Sequence, residues 1–501
     1  MNNLNRRNFL KYSSIATTGV LSLTMTPSQL WAQNTQNINE LLPYTNLETH
    51  LLNRISFGIN QASMSQLLQM GHEAYIDYQL DADNIDDSEI EDIIAQYLPT
   101  VAMSTSEIFS LIQSETINQF DAAIELKVAT FLRAVYSKKQ LFQVMVEFWN
   151  NHFSVYHFDG PVAFLKTVED REMMRPYALS SFRNLLQENA KSPAMIYYLD
   201  TFSSSKESPN ENYARELMEL HTLGVDGPYT HHDIDEVARC FTGWSLQQTM
   251  GDFQFYPFLH DYEEKQVLGQ TIAAGGGQTD GEQVLDILAD EDSCAAFISK
   301  KLCQHFISDN PFNELIEETT EVFKQTDGDI KHCLRHILLS EHFQFSRDQK
   351  LKRPFHYLTA ASRTLNANIL NGNSIREAFN LLEALGHLPF NWQSPDGYPD
   401  YASHWESTTG MLYRWNFING LSFNNLLGFN YSIDEIFSQP HTPENIYIQI
   451  LDNVIYRKMN RTDEINLMQY LMDGSINNVV SETKIQGALA IAMGSPYFQL
   501  S

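Results

Sequence analysis

Apolar residues recur at helical spacing along most of this chain. Leu47, Leu51, Leu52 and Ile55 follow a capping-box pattern, Thr45-Asn46-Leu47-Glu48, and Gly58 stands where that helix must stop. Further helices are expected near residues 63–69 and 73–80, and again beyond the acidic loop 81–87 as far as about 138. A strongly amphipathic helix is expected over about 140–153. Gln143 and Asn151 share the polar side of Glu147, whereas Leu141, Phe142, Met145, Phe148, Trp149, His152 and Phe153 make a wide apolar arc. A short amphipathic helix follows at 180–190. The stretch 210–244 then reads as two helices and a turn. Asn210 caps the first, which runs to Leu223 with Gly224 to close it. Thr230 and Asp233 form a capping box for the second, whose apolar face carries Ile234, Val237, Ala238 and Phe241.

The helical period breaks at 247–277. Phe253, Phe255 and Tyr256 suggest a short strand or hairpin, and Leu268-Gly269 and Gly275-Gly276-Gly277 mark turns. Helices resume at 281–340, 354–365 and 374–385, with Gly386 as a stop. Residues 387–401, HLPFNWQSPDGYPDY, are too rich in turn formers for a helix. They read either as a packed surface loop or as an aromatic wall over a pocket. Helices from 407 complete the chain. The expected fold is mainly α, a large multi-helix body with a small β hairpin insertion. Residues 45–501 are taken as one large helical domain, with a sub-boundary near 245–280, and 33–44 as a linker.

Residues 1–32 change the cellular picture. Arg6-Arg7 followed by Phe9-Leu10-Lys11, a weakly apolar run over 15–25, and Leu30-Trp31-Ala32 resemble a twin-arginine (Tat) signal peptide. The run is too short and polar for a comfortable membrane span, and no later apolar run is long enough to make a transmembrane anchor. The expectation is export by the twin-arginine machinery to the periplasm or beyond. Without residues 1–32 the chain holds 30 Lys and Arg against 62 Asp and Glu, a net charge of −32. Bulk charge of that sign argues against nucleic acid and anionic membrane surfaces as partners. Cys240, Cys294, Cys303 and Cys333 lack C-x-x-C spacing, so free or buried thiols are expected rather than a zinc ribbon.

The densest candidate chemistry lies in 210–244. Glu211, Arg215 and Glu219 stand at i, i+4 and i+8. They read either as a surface ion-pair row or as a buried carboxylate–guanidinium–carboxylate array. In the second reading Glu211 or Glu219 would be the acid/base or a metal ligand, and Arg215 would orient it or hold an anionic group. His221 points away from Glu219, so the two cannot grip one ligand from the same helix. His152 and His221 both fall on buried faces, as core histidines or as site residues from facing helices. His260-Asp261, on a loop, is a candidate for catalysis or metal binding, or simply a turn. A divalent or transition metal is therefore a candidate cofactor, with His152, His221 and His260 as its candidate ligands. The sequence lacks H-E-x-x-H, G-x-S-x-G, Glu-x-x-His and a strand–GxGxxG–helix unit, which removes the common zincin, α/β-hydrolase, di-iron bundle and dinucleotide-binding classes.

The segments THLLNRISFG, FWNNHF, NLLQENAKSPAMIYYLD, NENYARELMELHTLGVDGPYTHHDIDEVARCFTGW, HDYEEKQVLG, SPDGYPDYASHW and SPYFQ, in that order, resemble the bacterial family called domain of unknown function 1800. The resemblance implies a large exported protein, often encoded beside another exported family of unknown function, and supplies no established activity. Asn210, Glu211, Arg215, Glu216, Glu219, His221 and Asp233 match the family's core motif, and Asn151 and His152 its Trp-x-Asn-His-Phe motif. The functional expectation is an extracytoplasmic enzyme that hydrolyses or modifies an exported polymer. Its centre would be built from His152, Asn210, Glu211, Arg215 and Glu219, with His260 and Asp261. The alternative is a non-catalytic binding or assembly partner of a co-exported protein.

Overall fold

Side-chain caps start many of the helices where the sequence puts Ser, Thr, Asp or Asn before an apolar period. Ser181 caps Phe182–Ala190, Asn210 caps Glu211–Glu216, Thr230 caps His231–Cys240 and Ser407 caps Thr408–Ser422. The computed structural model describes residues 47–247, 251–472 and 479–501. The expected twin-arginine signal (1–32) and the expected linker (33–44) lie outside the described residues, as do Thr45 and Asn46 of the first capping box. The protein is 65% helical. Its strands form two antiparallel hairpins among the described residues. Strand β1 (Trp244–Leu246) pairs with β2 (Phe253–Phe255), with Trp244 opposite Phe255. Strand β3 (Lys265–Val267) pairs with β4 (Gln270–Ile272), with Val267 opposite Gln270. The fold is thus mainly α with a small β insertion.

The apolar arcs meet in one contiguous core running from Leu51 to Leu500, in which Trp149, Phe153, Phe182, Trp244 and Tyr357 are fully buried. Backbones approach closely at Gly58, where an added Cβ would lie 2.4 Å from the Cα of Ala360. That contact sets the first helix, Leu47–Ile55, against Pro354–Thr364. No helix among the described residues is long and apolar enough to cross a membrane. All four cysteines are free and buried.

Among the described residues, three helices widen into π turns, at Asp170–Met174, Leu217–Thr222 and Leu451–Ile455. The second falls inside the 210–223 helix. There the Leu223 N–H reaches the Met218 carbonyl, and the Thr222 hydroxyl the Leu217 carbonyl, each five residues back. The 3.6-residue period expected throughout that helix therefore ends at Glu216.

The β3–β4 hairpin is docked on one polar strip of His231–Cys240. Asp233 takes the Thr230 N–H at 2.8 Å through one carboxylate oxygen and the Leu268 N–H at 2.8 Å through the other. Glu236 accepts from the Gln266 N–H at 2.7 Å, and Arg239 pairs with Asp261 at 2.8 Å. One carboxylate thus both starts a helix and fixes a hairpin. Asp233→Ala removes both bonds and is expected to lower unfolding free energy by about 1–2 kcal/mol. Urea denaturation of the purified variant measures this, and a loss of only a few tenths would show that the hairpin does not depend on Asp233.

Candidate functional site

The polar strip of the helix Gln140–His152 faces a cleft instead of open solvent. Gln143, Glu147, Asn150 and Asn151 line it from that helix, and Phe57, Phe355, His387, Pro389, Phe390, Trp392 and Tyr398 line it from elsewhere. Most of the second group comes from the 387–401 loop, so that loop is a pocket wall. Asn151 holds it in place. Its side-chain N–H donates to the Tyr398 carbonyl at 3.0 Å, and its side-chain oxygen accepts the Tyr398 N–H at 2.7 Å. The preceding Gly397 has φ +75°, and a Cβ there would lie 2.1 Å from the Asn151 carbonyl oxygen, so only glycine lets the loop pass this close.

Glu147 anchors the cleft. Arg353 Nη2 donates to both its carboxylate oxygens, at 2.9 and 2.7 Å. Two imidazoles flank the pair: His356 Nε2 is 3.5 Å from one oxygen and His387 Nε2 4.0 Å from the other. Local structure explains the convergence. Arg353 is the N-cap of Pro354–Thr364, with Pro354 at its first position, so Arg353 and His356 stand one turn apart on one side. His387 is placed by Gly386, which turns the chain at φ +69° after the helix Gly372–Ala384. The Phe355 N–H donates to His387 Nδ1 at 3.2 Å. An N–H can only donate, so Nδ1 carries the lone pair, and neutral His387 presents Nε2–H towards Glu147.

Charge follows from burial and pairing. Burial alone would raise the Glu147 carboxyl, but Arg353, His356 and His387 more than offset it and hold it well below the usual carboxylate range. Burial pushes His356 down to about 4 against the pull of Glu147. Burial, reinforced by Arg353, holds His387 well below its ordinary value. At neutral pH the centre is one carboxylate, one guanidinium and two neutral imidazoles. The polar network continues past it. His305 lies with its ring 6.4 Å from that of His356, and its Nδ1 is 3.1 Å from Asp400, which also takes Lys350 at 3.0 Å.

The residues singled out from sequence fall in three separate places. Asn210 caps its helix through the N–H groups of Asn212 and Tyr213, a structural task. Arg215 and Glu219 form a 3.6 Å ion pair with side chains 38% and 27% exposed. Such a pair contributes less than about 1 kcal/mol. Glu211 is exposed and makes no ion pair with Arg215, so no buried carboxylate–guanidinium–carboxylate array forms. Glu211 instead brings a carboxylate oxygen within 4.8 Å of ligand atoms of His231 and Asp235 at the surface, a spacing that exposed acidic groups commonly adopt without an ion.

His152 and His221 do meet, with rings 5.9 Å apart inside the core. The His152 Nε2–H donates to the His221 carbonyl at 3.0 Å, and Nδ1 accepts from Lys301 at 2.9 Å, so both nitrogens are occupied. Burial lowers Lys301 to about 8, and burial with Lys301 nearby lowers His221 to about 3. His260 does not join them. Its Nδ1 bonds the Thr242 carbonyl at 2.7 Å, and its Nε2 is 3.1 Å from Asp280, which also holds Lys265 at 2.8 Å. All three side chains are fully buried. Asp261 does not pair with its neighbour: its carboxylate holds Arg239 and the Glu263 N–H. His260 and Asp261 thus serve different partners, and His260 does not join His152 and His221 as a third candidate metal ligand. Successive residues on an extended turn point apart, and the β insertion carries His260 to partners of its own.

The centre missed in sequence is Glu147, Arg353, His356 and His387. One signal was in view: Glu147 sits among Gln143 and Asn151 on the single polar side of an otherwise apolar helix. Arg353, His356 and His387 lie more than 200 residues away, and periodicity carries no information on that pairing.

Residues 50–500 match the family model described as a protein of unknown function (DUF1800). The chain belongs to the DUF1800 family. No curated protein and no solved structure matches it. Within this DUF1800 chain, the family-like FWNNHF segment supplies the cleft residues Asn150 and Asn151 and the buried His152, and HLPFNWQSPDGYPDY supplies the opposing wall.

The pKa directions set a pH profile. Glu147 is depressed on folding, so its contribution is full above the unfolded carboxyl value and is lost as pH falls through that range. His356 and His387 are also depressed. The unfolded chain therefore binds more protons below about 6.5, and stability falls there too. Stability should be flat from pH 7 upwards as far as these groups are concerned and should fall steadily below about 6.5. Glu147→Gln should cost about 3–5 kcal/mol by leaving Arg353 buried without its partner. It should also flatten the acid limb of the denaturation midpoint against pH. An unchanged acid limb would show that Glu147 does not control it.

Proposed function

We propose that this DUF1800 protein is an enzyme exported by the twin-arginine route, acting in the periplasm or outside the cell to hydrolyse or modify an exported polymer. The observation that carries this reading is the fixed carboxylate of Glu147, side by side with Arg353 and two neutral imidazoles, in a cleft lined by aromatic rings and side-chain amides. Clefts with a few convergent polar groups and displaced pKa values are the usual form of active sites. His387 is held by the Phe355 N–H as a neutral Nε2–H donor. In this reading it polarises a substrate oxygen, while Glu147 orients water or steadies developing positive charge and Arg353 fixes the carboxylate.

The test is His387→Asn. The asparagine oxygen can still accept the Phe355 N–H, but the Nε2–H donor is gone. Wild-type protein is to be assayed against chromogenic esters, glycosides, amides and extracytoplasmic polymers. Any turnover should fall at least about a hundredfold in His387→Asn, with the melting temperature retained. Full activity in that variant, or none in the wild type on every substrate class, would remove the reading.

The alternative, a non-catalytic partner for a co-exported protein, is favoured by a different surface. Leu412, Tyr413 and Trp415 on the helix Thr408–Ser422 are 40–51% exposed, with Tyr401 and Ile491 also exposed. Apolar surface of this kind is a common mark of protein contact. Under this alternative, Leu412→Glu should abolish co-purification of a stoichiometric partner from cell envelopes. A monomer that elutes alone under all conditions counts against it.

A further inference from the structure

The cleft holds two polar groups whose hydrogen-bonding capacity is only partly used among the described residues. The first is Arg175. It follows the π turn Asp170–Met174, and its own N–H bonds the Asp170 carbonyl, five residues back. An i to i−5 bond turns the helix register by about one residue, which re-aims the side chains that follow. The Arg175 guanidinium lines the cleft, donates to Gln143 Oε1 at 3.1 Å and stacks 5.1 Å from the Phe142 ring centre. Among the described residues no carboxylate lies within 4.0 Å of it. Asp170, Glu91 and Asp87 act on it only at longer range, and Arg133 opposes them. Glu91 is already taken by Arg133, at 2.7 Å. A partly buried guanidinium with a free edge is the side chain best suited to a carboxylate, which it grips through two parallel hydrogen bonds.

The second group is Asn150. Its side-chain nitrogen donates to the Val146 carbonyl at 3.0 Å and to Asp170 Oδ1 at 2.8 Å. Both partners are acceptors, so the amide orientation is fixed: nitrogen towards them, oxygen away. Asn150 is only 8% exposed, and its Oδ1 is buried with no hydrogen-bond partner. A buried acceptor left open is destabilising and is satisfied when a donor arrives. The Trp392 and Tyr398 rings, on the opposing loop, supply apolar faces for a short carbon skeleton.

We propose that the cleft binds a hydroxylated carboxylate. Its carboxylate would sit on Arg175 and its hydroxyl would donate to Asn150 Oδ1, beside Glu147 and His387. This rests on reading the cleft as the active site and names its substrate class. The same chemistry is found in a small hydroxy acid and in a uronic-acid unit of an acidic polysaccharide.

Calorimetry and thermal-shift titration on the full-length protein decide the matter, with four probes: glycolate, glucuronate, glucuronate methyl ester and glucose. Wild type should bind glucuronate or glycolate and be stabilised by it, while the methyl ester and glucose should bind at least about tenfold more weakly. Arg175→Gln should lose the same factor for the acids, and Arg175→Lys should recover part of it. Glucuronate binding without glycolate binding identifies the polymer unit, and equal binding identifies the small acid; either supports the shared chemistry. No binding of either acid, or equal binding of glucuronate and its ester, overturns the proposal, and this arm needs no variant to fold. His387→Asn separates the two readings. If the acids fail to bind but His387→Asn still abolishes turnover, only the substrate class is wrong. If the acids bind through Arg175 but His387→Asn stays fully active, the catalytic reading is wrong.

Discussion

The ion pair between Glu147 and Arg353 is the constraint on which the cleft depends. A carboxylate inside a helical core is costly unless it is paired and hydrogen-bonded, and this one is met by a guanidinium on both oxygens. The pair joins helices more than 200 residues apart in sequence. Arg353 can serve because the strand-like residues before it are clamped: Lys352 donates to the Phe498 and Leu500 carbonyls, and the Lys350 and Ser501 backbones bond reciprocally. Residues from three distant parts of the chain are thus fixed relative to one carboxylate. Buried ion pairs of this kind contribute little net stability, but removing one partner is costly because it leaves the other charge buried alone.

Asn151 plays the matching part for the opposite wall. Its amide reads the Tyr398 backbone as a neighbouring strand would, one donor and one acceptor, and the absence of a side chain at Gly397 lets the loop lie against it. The aromatic wall is therefore seated by backbone bonds, and its rings remain available to whatever enters. Among the described residues, Arg175 between the two walls has no carboxylate within 4.0 Å and Asn150 Oδ1 has no donor, in a chain where acids outnumber bases almost two to one.

Much of the fold was legible along the chain because capping and amphipathic period are local. The Thr230–Asp233 box, the stop at Gly386, the hairpin near Phe253 and the pocket-wall character of 387–401 all follow from residues within a few positions of each other. The buried array at 210–219 and the gathering of His152, His221 and His260 do not form, for the same reason, that a side chain's partner is not written beside it. The acidic stretch at 210–219 looks dense in sequence, yet Glu211 is exposed and Arg215 and Glu219 form a half-buried surface pair, and the π turn at Leu217–Thr222 ends the 3.6-residue period behind the i, i+4, i+8 row. His260 and Asp261 are adjacent in sequence but bond to different neighbours. The polar centre at Glu147 was half visible, as one polar side on an apolar helix, and its cationic and imidazole partners were not.

The four cysteines carry a consequence for the chemistry of the surroundings. Each thiol is buried, and burial raises them all, Cys303 and Cys333 to about 12. Thiolate, the form that attacks disulfides and peroxides, is therefore almost absent at neutral pH, and no cysteine thiol is presented to an external oxidant. In the folded chain these four thiols are therefore poor partners for thiol–disulfide exchange.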